Sequence, residues 1–320
     1  MDTLHRLVGI VKGKMLRKPL GLCDIGDLDG MVCAALFKMR YPDGVVVFAS
    51  PKDVQKSFLI RHVGWDFVGD LPCPGKVRVR ADHHATNKPC AEREFYDPDA
   101  PAAAVMCLKA FDLEEDEKAS SLVELAVETD TANIKTREAE VLNAATKGAT
   151  YREKLVLAEK LAKEGKAAAD DPFVKKLAER YFVVRRRTEE FAEKITPMRV
   201  TVVVFKKNSQ LSYRYLCILL ERRGAEVTFL AVPRGLFTIR VYLGARQDTK
   251  YDVSLIASAL GGGGHRYAAG AHVTGIPRSR ALNRALRTLT EYLGMEKLEA
   301  YLVDEKLEVT KRIVTIPLST

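Results

Sequence analysis

Residues 20–30 read Leu20-Gly21-Leu22-Cys23-Asp24-Ile25-Gly26-Asp27-Leu28-Asp29-Gly30. Leu20 to Ile25 is a short apolar run bounded by turn residues, the pattern of a strand buried on both faces. A helical pattern follows over Met31 to Met39, entered through Gly30, so the chain reverses sharply between strand and helix. Asp27 and Asp29 alternate in that reversal, and a curled loop brings both carboxylates to one point. Two carboxylates held close do not both ionise cheaply unless a cation compensates them. A solvated turn would carry the same residues, because Asp and Gly are common turn formers. The stretch therefore sets a strand–loop–helix unit and leaves its chemistry open.

Outward from this unit, Gly44 to Ala49, Trp65 to Val68 and Val77 to Ala81 read as further short strands. Asp53 to His62, Ala100 to Phe111 and Ala119 to Glu128 read as helices. Strands alternating with helices predict a mainly parallel α/β sheet, which places ligands at the carboxyl ends of its strands. Glu138 to Ile195 is charged and almost wholly helical, with a stop and restart at Asp170-Asp171-Pro172. After Thr196-Pro197, the β-branched runs Arg199 to Phe205, Glu226 to Val232 and Leu236 to Leu243 read as strands. Val253 to Ala259 is a helix running into Gly261 to Gly264. These breaks divide the chain into an α/β domain over 1–150, a helical connector over 151–196 and a second domain over 197–320.

The composition excludes several classes. The chain has 320 residues, a net charge of +9, 47% apolar and 29% charged residues, ordinary for a soluble chain with real cores. No window approaches the roughly 20 uncharged apolar residues of a membrane span. Residues 1–20 are basic without an apolar centre, which argues against a secretory signal. The six cysteines form no CxxC pair and lie in apolar stretches, so reduced thiols and a cytoplasmic location are expected. Five Asn and three Gln point to a thermophile. Between Arg185 and Lys250, 14 Lys and Arg face six Asp and Glu, so the basic surplus is concentrated where a phosphate-rich ligand would be held.

A second acidic cluster adds chemistry to the first. Val77-Arg78-Val79-Arg80-Ala81 leads to Asp82-His83-His84, and adjacent histidines are unusual in a chain with six. Asp70 and Asp130 end two other apolar stretches. Four carboxylates with one imidazole sum to a charge that two divalent cations neutralise. Mostly oxygen donors suit Mn²⁺ first and Mg²⁺ second.

Asp27-x-Asp29-Gly30, Asp70, Asp82-His83-His84 and Asp130, in this order, resemble the motifs of the DHH phosphoesterase family. Gly261-Gly262-Gly263-Gly264-His265-x-x-Ala268-Ala269-Gly270 resembles the signature of that family's DHH-associated C-terminal domain. The resemblance implies an N-terminal DHH domain with a mainly parallel sheet, a helical connector and a smaller α/β C-terminal domain with a mixed sheet. It implies that Asp27, Asp29, Asp70, His83 and Asp130 hold one or two Mn²⁺ ions, replaceable by Mg²⁺. Asp70 would bridge, Asp82 would stand behind His83 as its acceptor, and His84 would face the substrate phosphate. Many relatives carry a His four residues before the first motif Asp. This chain has Cys23 there, with Asp24 next to it.

Glycines let backbone N–H groups approach a phosphate. Gly262, Gly263, Gly264, His265 and Arg266 are therefore expected at the substrate. Arg240 and Arg246 flank Gly244, near the spot where relatives often carry an Arg, and join that set. Tyr213, Tyr215, Phe237, Tyr242 and Tyr267 lie among basic residues, where a few would stack bases and most would fill a small core. The implied activity is Mn-dependent exonucleolytic hydrolysis of single-stranded DNA or short RNA. The alternatives are a small-nucleotide phosphatase or cyclic nucleotide phosphodiesterase, and a non-catalytic nucleic-acid-binding module. The implied partners are single-stranded nucleic acid or nucleotide, a DNA repair or replication protein and a second copy of the chain, with no membrane. The resemblance is to an archaeal or thermophilic member.

Overall fold

β1 (Leu20–Asp24) is buried at every position. It pairs in parallel with β2 (Val45–Ala49) on one side and β3 (Trp65–Gly69) on the other. In this computed structural model, which describes residues 2–315, β4 (Val77–Asp82) and β5 (Arg93–Tyr96) continue a five-stranded sheet ordered β2-β1-β3-β4-β5. Every pairing is parallel. Strand order reverses between β1 and β3, so the loops leaving those strands open a crevice at one sheet end.

Helices cover both faces, which is why the strands read as unbroken apolar runs. On one face, α1 (Asp2–Met15), α3 (Pro51–Lys56) and α4 (Phe58–His62) set Ile10, Val54 and Ile60 against Leu20, Leu22 and Trp65. The single helix expected over 53–62 is two. Ser57 ends α3 and caps α4, its hydroxyl accepting from the Ile60 N–H.

The other face carries α2 (Leu28–Arg40), α5 (Ala103–Ala110), α6 (Glu117–Asp130), α7 (Arg137–Gly148) and α8 (Tyr151–Glu164). α2 is the central helix, with Leu28 to Phe37 wholly buried. Phe37 packs on Phe67 and Phe111 at centroid distances of 5.8 and 6.3 Å. Each such ring contributes about 1.5–3 kcal/mol by burial, which anchors α2 on the sheet.

The chain divides into two compact units, Met1–Phe182 and Val183–Thr320. The boundary falls inside α9 (Pro172–Glu193), which restarts at Pro172 after a 3-10 segment, Gly165–Asp170. Leu157, Leu161, Ala168, Val174 and Leu177 all pack into the core of the first unit. The helical segment read from sequence as a connector over 151–196 thus builds that core as far as Phe182.

The second unit is a seven-stranded mixed sheet ordered β12-β11-β6-β7-β8-β10-β9. Its strands are β6 (Val200–Phe205), β7 (Val227–Pro233), β8 (Thr238–Ala245), β9 (Gly263–His265), β10 (Ala268–Thr274), β11 (Lys297–Val303) and β12 (Val309–Thr315). α11 (Val253–Ala259) and α12 (Arg278–Leu293) pack Ile256, Ala285 and Leu289 on one face. α10 (Tyr213–Arg222) packs Leu216 and Leu220 on the other. No described helix is long and apolar enough to cross a membrane.

The cysteine expectation needs correction. Cys23, Cys33, Cys107 and Cys217 are buried free thiols, but Cys73 and Cys90 form a disulfide. Their separation of 17 residues hid the pair from any spacing rule, because it is the fold that sets the β3–β4 loop against the segment leading into β5.

Candidate functional site

The sharp turn between β1 and α2 depends on Gly30. A Cβ there would lie 2.5 Å from the Asp24 carbonyl oxygen, so only glycine lets the first turn of α2 close onto the end of β1. Asp27 caps α2, accepting from the Gly30 N–H at 3.3 Å. Asp29 serves a different helix. Its two oxygens accept the Ala103 and Ala104 N–H groups at 2.7 and 2.8 Å, capping α5, whose own cap residue Ala102 has no side-chain acceptor.

Asp70 follows β3 with φ of 58°, left-handed backbone that costs a non-glycine residue about 1–3 kcal/mol. Its N–H is held by the Ala81 carbonyl at 2.9 Å, extending the β3–β4 ladder past the strand end. The Asp70 carboxylate is thereby turned toward the loop of β1.

His83 completes the cluster. Its Nδ1 lies 3.0 Å from the Ala100 carbonyl, which can only accept, so Nδ1 carries a proton and in the neutral ring the lone pair is on Nε2. That Nε2 is 3.5 Å from Asp130 Oδ2, 3.8 Å from Asp29 Oδ2 and 3.9 Å from Asp70 Oδ1. Asp130 reaches it from the last position of α6. The five residues expected as metal ligands therefore meet at one sheet end. Single donor atoms from Asp29, His83 and Asp130 lie within 4.8 Å of one another, as do those from Asp70, His83 and His84.

One expected role is corrected. Asp82 does not stand behind His83; the Ala100 carbonyl does. Asp82 instead supports His84, with Oδ1 3.0 Å from His84 Nδ1. Asn87 donates to Asp82 Oδ2 at 2.7 Å, and Arg80 Nη1 lies 3.2 Å from the same oxygen. Adjacent residues leave a strand end in opposite directions, so one carboxylate does not serve both rings. Ala100, Asn87 and the fully buried Arg80 escaped the sequence reading. A backbone carbonyl has no residue-type signature, and Arg80 sits in an alternating basic run that suggests solvent.

The electrostatics fit a site that takes a positive counter-charge. Burial, followed by the charges of neighbouring carboxylates, raises Asp29 and Asp70 well above the usual carboxylate range. Burial and Asp27 push Asp24 up to about 7. Burial opposes ionisation of Asp82, but hydrogen bonds from His84 and Asn87 outweigh it and hold Asp82 low. The hydrogen bond to Asp82 in turn raises His84. Burial lifts the Cys23 thiol well above its ordinary value, which disfavours a thiolate ligand. Asp70 Oδ1 is buried with no hydrogen-bond partner among the described residues. An orphaned carboxylate oxygen among acidic groups suits a divalent cation.

In the second unit, the glycine run forms β9 and its entry. Gly264 has φ of 142°, and a Cβ there would lie 2.5 Å from the Ala268 carbonyl oxygen. A Cβ at Gly262 would strike the Gly270 carbonyl, whereas one at Gly263 meets nothing within 4 Å among the described residues. The register aligns Gly263 with Gly270 and Tyr242, His265 with Ala268 and Gly244, and His272 with Arg240. Arg240, Tyr242, Gly263 and His265 thus share one sheet face.

Arg240 lies over the Tyr242 ring at 5.4 Å, and Tyr242 stacks on Tyr213 at 5.3 Å. Arg246 lies just past the end of β8, where its Nε pairs with Asp248 at 2.6 Å. Arg266 turns toward the same loop, its Nη2 3.4 Å from the Thr249 carbonyl. At Gly244, the space of a side chain is filled by Glu221, Thr228 and Arg214. Arg214, which bonds the Tyr267 carbonyl from α10, brings an Arg to this spot that local sequence did not reveal.

Fold and site together define a two-domain α/β protein with a carboxylate–histidine centre at the switch point of a parallel sheet. Residues 198–295 match the DHHA1 domain. No curated protein matches the chain by sequence. Among solved structures, the chain is similar to the pGpG-specific phosphodiesterase PggH from Vibrio cholerae, with TM-score 0.62 and 18% identity over 87% of this chain and 99% of that one. It is similar to RecJ in complex with Mn²⁺ from Thermus thermophilus, with TM-score 0.56 and 14% identity over 93% of this chain and 61% of that one. A third is an exopolyphosphatase-related protein from Bacteroides fragilis, with TM-score 0.54 and 15% identity over 87% and 94%. The second unit carries a DHHA1 domain, and the chain as a whole shares its fold with these structures.

Proposed function

We propose that this protein is a divalent-metal-dependent phosphodiesterase that hydrolyses short single-stranded oligonucleotides, DNA or RNA, from one end. The observation that carries the reading is His83, whose Nδ1 is committed to the Ala100 carbonyl while Nε2 faces Asp29, Asp70 and Asp130. A histidine oriented in this way presents a lone pair to a cation, and a backbone acceptor behind it fixes the tautomer. Asp27, Asp29, Asp70, His83 and Asp130 would hold Mn²⁺, with Mg²⁺ as substitute. Such ions supply Lewis acidity toward phosphoryl oxygens and water of lowered pKa at neutral pH.

Each unit contributes groups of its own. Asp82 keeps His84 protonated to higher pH than a free imidazole, so His84 can donate to a phosphoryl or leaving oxygen. Gly263 and His265 lie on an exposed strand, where backbone N–H and imidazole groups bind phosphate. Arg240 on the same face adds charge, and Tyr242 adds a ring for a base.

A second reading, in which the substrate is a dinucleotide, is favoured by similarity to the pGpG-specific phosphodiesterase over almost its full length. One experiment separates them. Wild type and His83→Ala are incubated with Mn²⁺ and end-labelled dinucleotides, short oligomers, long single strands and nucleoside 3′-phosphates. Release of mononucleotides from oligomers by wild type alone is expected. Hydrolysis restricted to dinucleotides supports the second reading, and turnover of nucleoside 3′-phosphates with every diester intact overturns both.

A further inference from the structure

Cys23, at the position where many DHH relatives carry a histidine, is fully buried among Leu28, Phe67 and Ala81 and is no part of the acidic cluster. The next residue does what Cys23 does not. Asp24 is 8% exposed, and donor oxygens of Asp24, Asp27 and Asp70 lie within 4.8 Å of one another. Asp24 Oδ2 accepts the Gly26 N–H at 2.5 Å. Asp24 Oδ1 is buried and has no hydrogen-bond partner among the described residues.

A buried carboxylate outside the proposed ligand set looks different in this fold: Asp82 receives His84, Asn87 and Arg80. Leaving a buried charged acceptor unsatisfied costs on the order of 1–3 kcal/mol or more, so a half-satisfied aspartate is poorly explained by stability alone. Asp70 Oδ1, the other orphaned carboxylate oxygen, belongs to the same three-residue group.

We propose that Asp24 is a metal ligand, forming with Asp27 and Asp70 an all-carboxylate half of the centre that takes a hard divalent cation, Mn²⁺ or Mg²⁺. The assignment rests on the metal-dependent reading above and adds to it a ligand one residue past Cys23. An aspartate in place of a neutral imidazole adds one negative charge, and Lys154 offsets it. That side chain is 7% exposed and donates from α8 to the carbonyl of Ile25, the residue directly after Asp24. Replacing nitrogen by oxygen also shifts selectivity toward Mg²⁺ and Mn²⁺ and away from Zn²⁺.

The test measures metal binding on the full chain, independent of turnover. Wild type, Asp24→Asn and Asp24→His are stripped of metal, titrated with Mn²⁺ by calorimetry and by the EPR signal of free Mn²⁺, and melted without metal. Wild type is expected to bind two Mn²⁺ per chain. Asp24→Asn keeps an acceptor for the Gly26 N–H and should bind one, or the second at least about 10-fold more weakly. Asp24→His should regain the second ion. Metal-free Asp24→Asn should melt no lower than wild type, because it removes a buried charge that sits beside other carboxylates.

A wild type that binds a single Mn²⁺, or an Asp24→Asn isotherm matching a two-site wild type, overturns the assignment. If Asp24→Asn fails to fold, a folded Asp24→Ser that binds both ions as tightly as wild type overturns it equally. Loss of the second ion in Asp24→Asn, with a wild type that hydrolyses no phosphodiester, supports the ligand and refutes the hydrolase reading. Hydrolysis by wild type with two full sites in Asp24→Asn does the reverse.

Discussion

Gly263 and Gly264 are neighbours with opposite reasons for lacking a side chain, and a pair of alanine substitutions separates hairpin from substrate. At Gly264, φ of 142° and a Cβ position 2.5 Å from the Ala268 carbonyl oxygen make alanine strained and crowded. Such backbone strain costs about 1–3 kcal/mol, and the contact forces β9 away from β10. For a unit of this size, roughly 4 °C of melting temperature accompanies each kcal/mol, so Gly264→Ala should melt about 4–12 °C lower.

Gly263 meets nothing within 4 Å among the described residues and needs no positive φ. Alanine there should be neutral or stabilise by up to about 1 kcal/mol, since glycine is disfavoured within strands. If backbone N–H groups of β9 hold a phosphate, the added Cβ displaces it. Losing one charge-assisted hydrogen bond of about 1.5–3 kcal/mol raises KM roughly 10-fold or more. Scanning calorimetry and steady-state kinetics on both variants decide the matter. A Gly263→Ala protein with unchanged melting and unchanged KM would refute substrate binding by the glycine run and leave it a hairpin device.

Three further outcomes are expected. Asp82→Asn removes the partner that raises His84, so the alkaline limb of the pH–rate profile should move to lower pH. The sign follows from linkage: protonated His84 and its stabilisation are present at low pH and are lost as pH climbs through the raised value. An unmoved limb sinks the assignment of that limb to His84. Raising salt from about 50 to 200 mM should weaken oligonucleotide binding roughly 20-fold if three phosphates are contacted, and mononucleotide binding far less. Equal losses for both ligands would speak against a phosphate-tracking face. Reduction of Cys73–Cys90, which closes a loop of 17 residues, should cost about 3 kcal/mol in a urea titration, and a Cys90→Ser protein should be insensitive to reductant.

Much of this molecule is written in short local patterns. Apolar runs ending on Asp24, Gly69 and Asp82 are strands because both faces are covered, and their ends carry Asp27, Asp70 and His83 wherever the loops go. A parallel sheet with a switch point collects strand ends, so residues 27, 29, 70, 83 and 130 were legible together before any coordinates. The edge strand β5 and the helices α10 and α12 were not read, although the pattern of α12 is strongly amphipathic.

Three-dimensional packing alone decided the rest. Which acceptor stands behind His83 depends on where the Ala100 carbonyl lies, 17 residues away and without a side-chain signal. The pairing of Cys73 with Cys90, the burial of Arg80 and the approach of Lys154 to Ile25 are long-range events. Composition makes each of these side chains look ordinary. Sequence determined which groups reach the sheet end, because strand periodicity and turn chemistry are local. Whether an oxygen there is satisfied, as in Asp29, or left bare, as in Asp24 and Asp70, depends on donors arriving from distant segments, and only the tertiary structure brings them or withholds them.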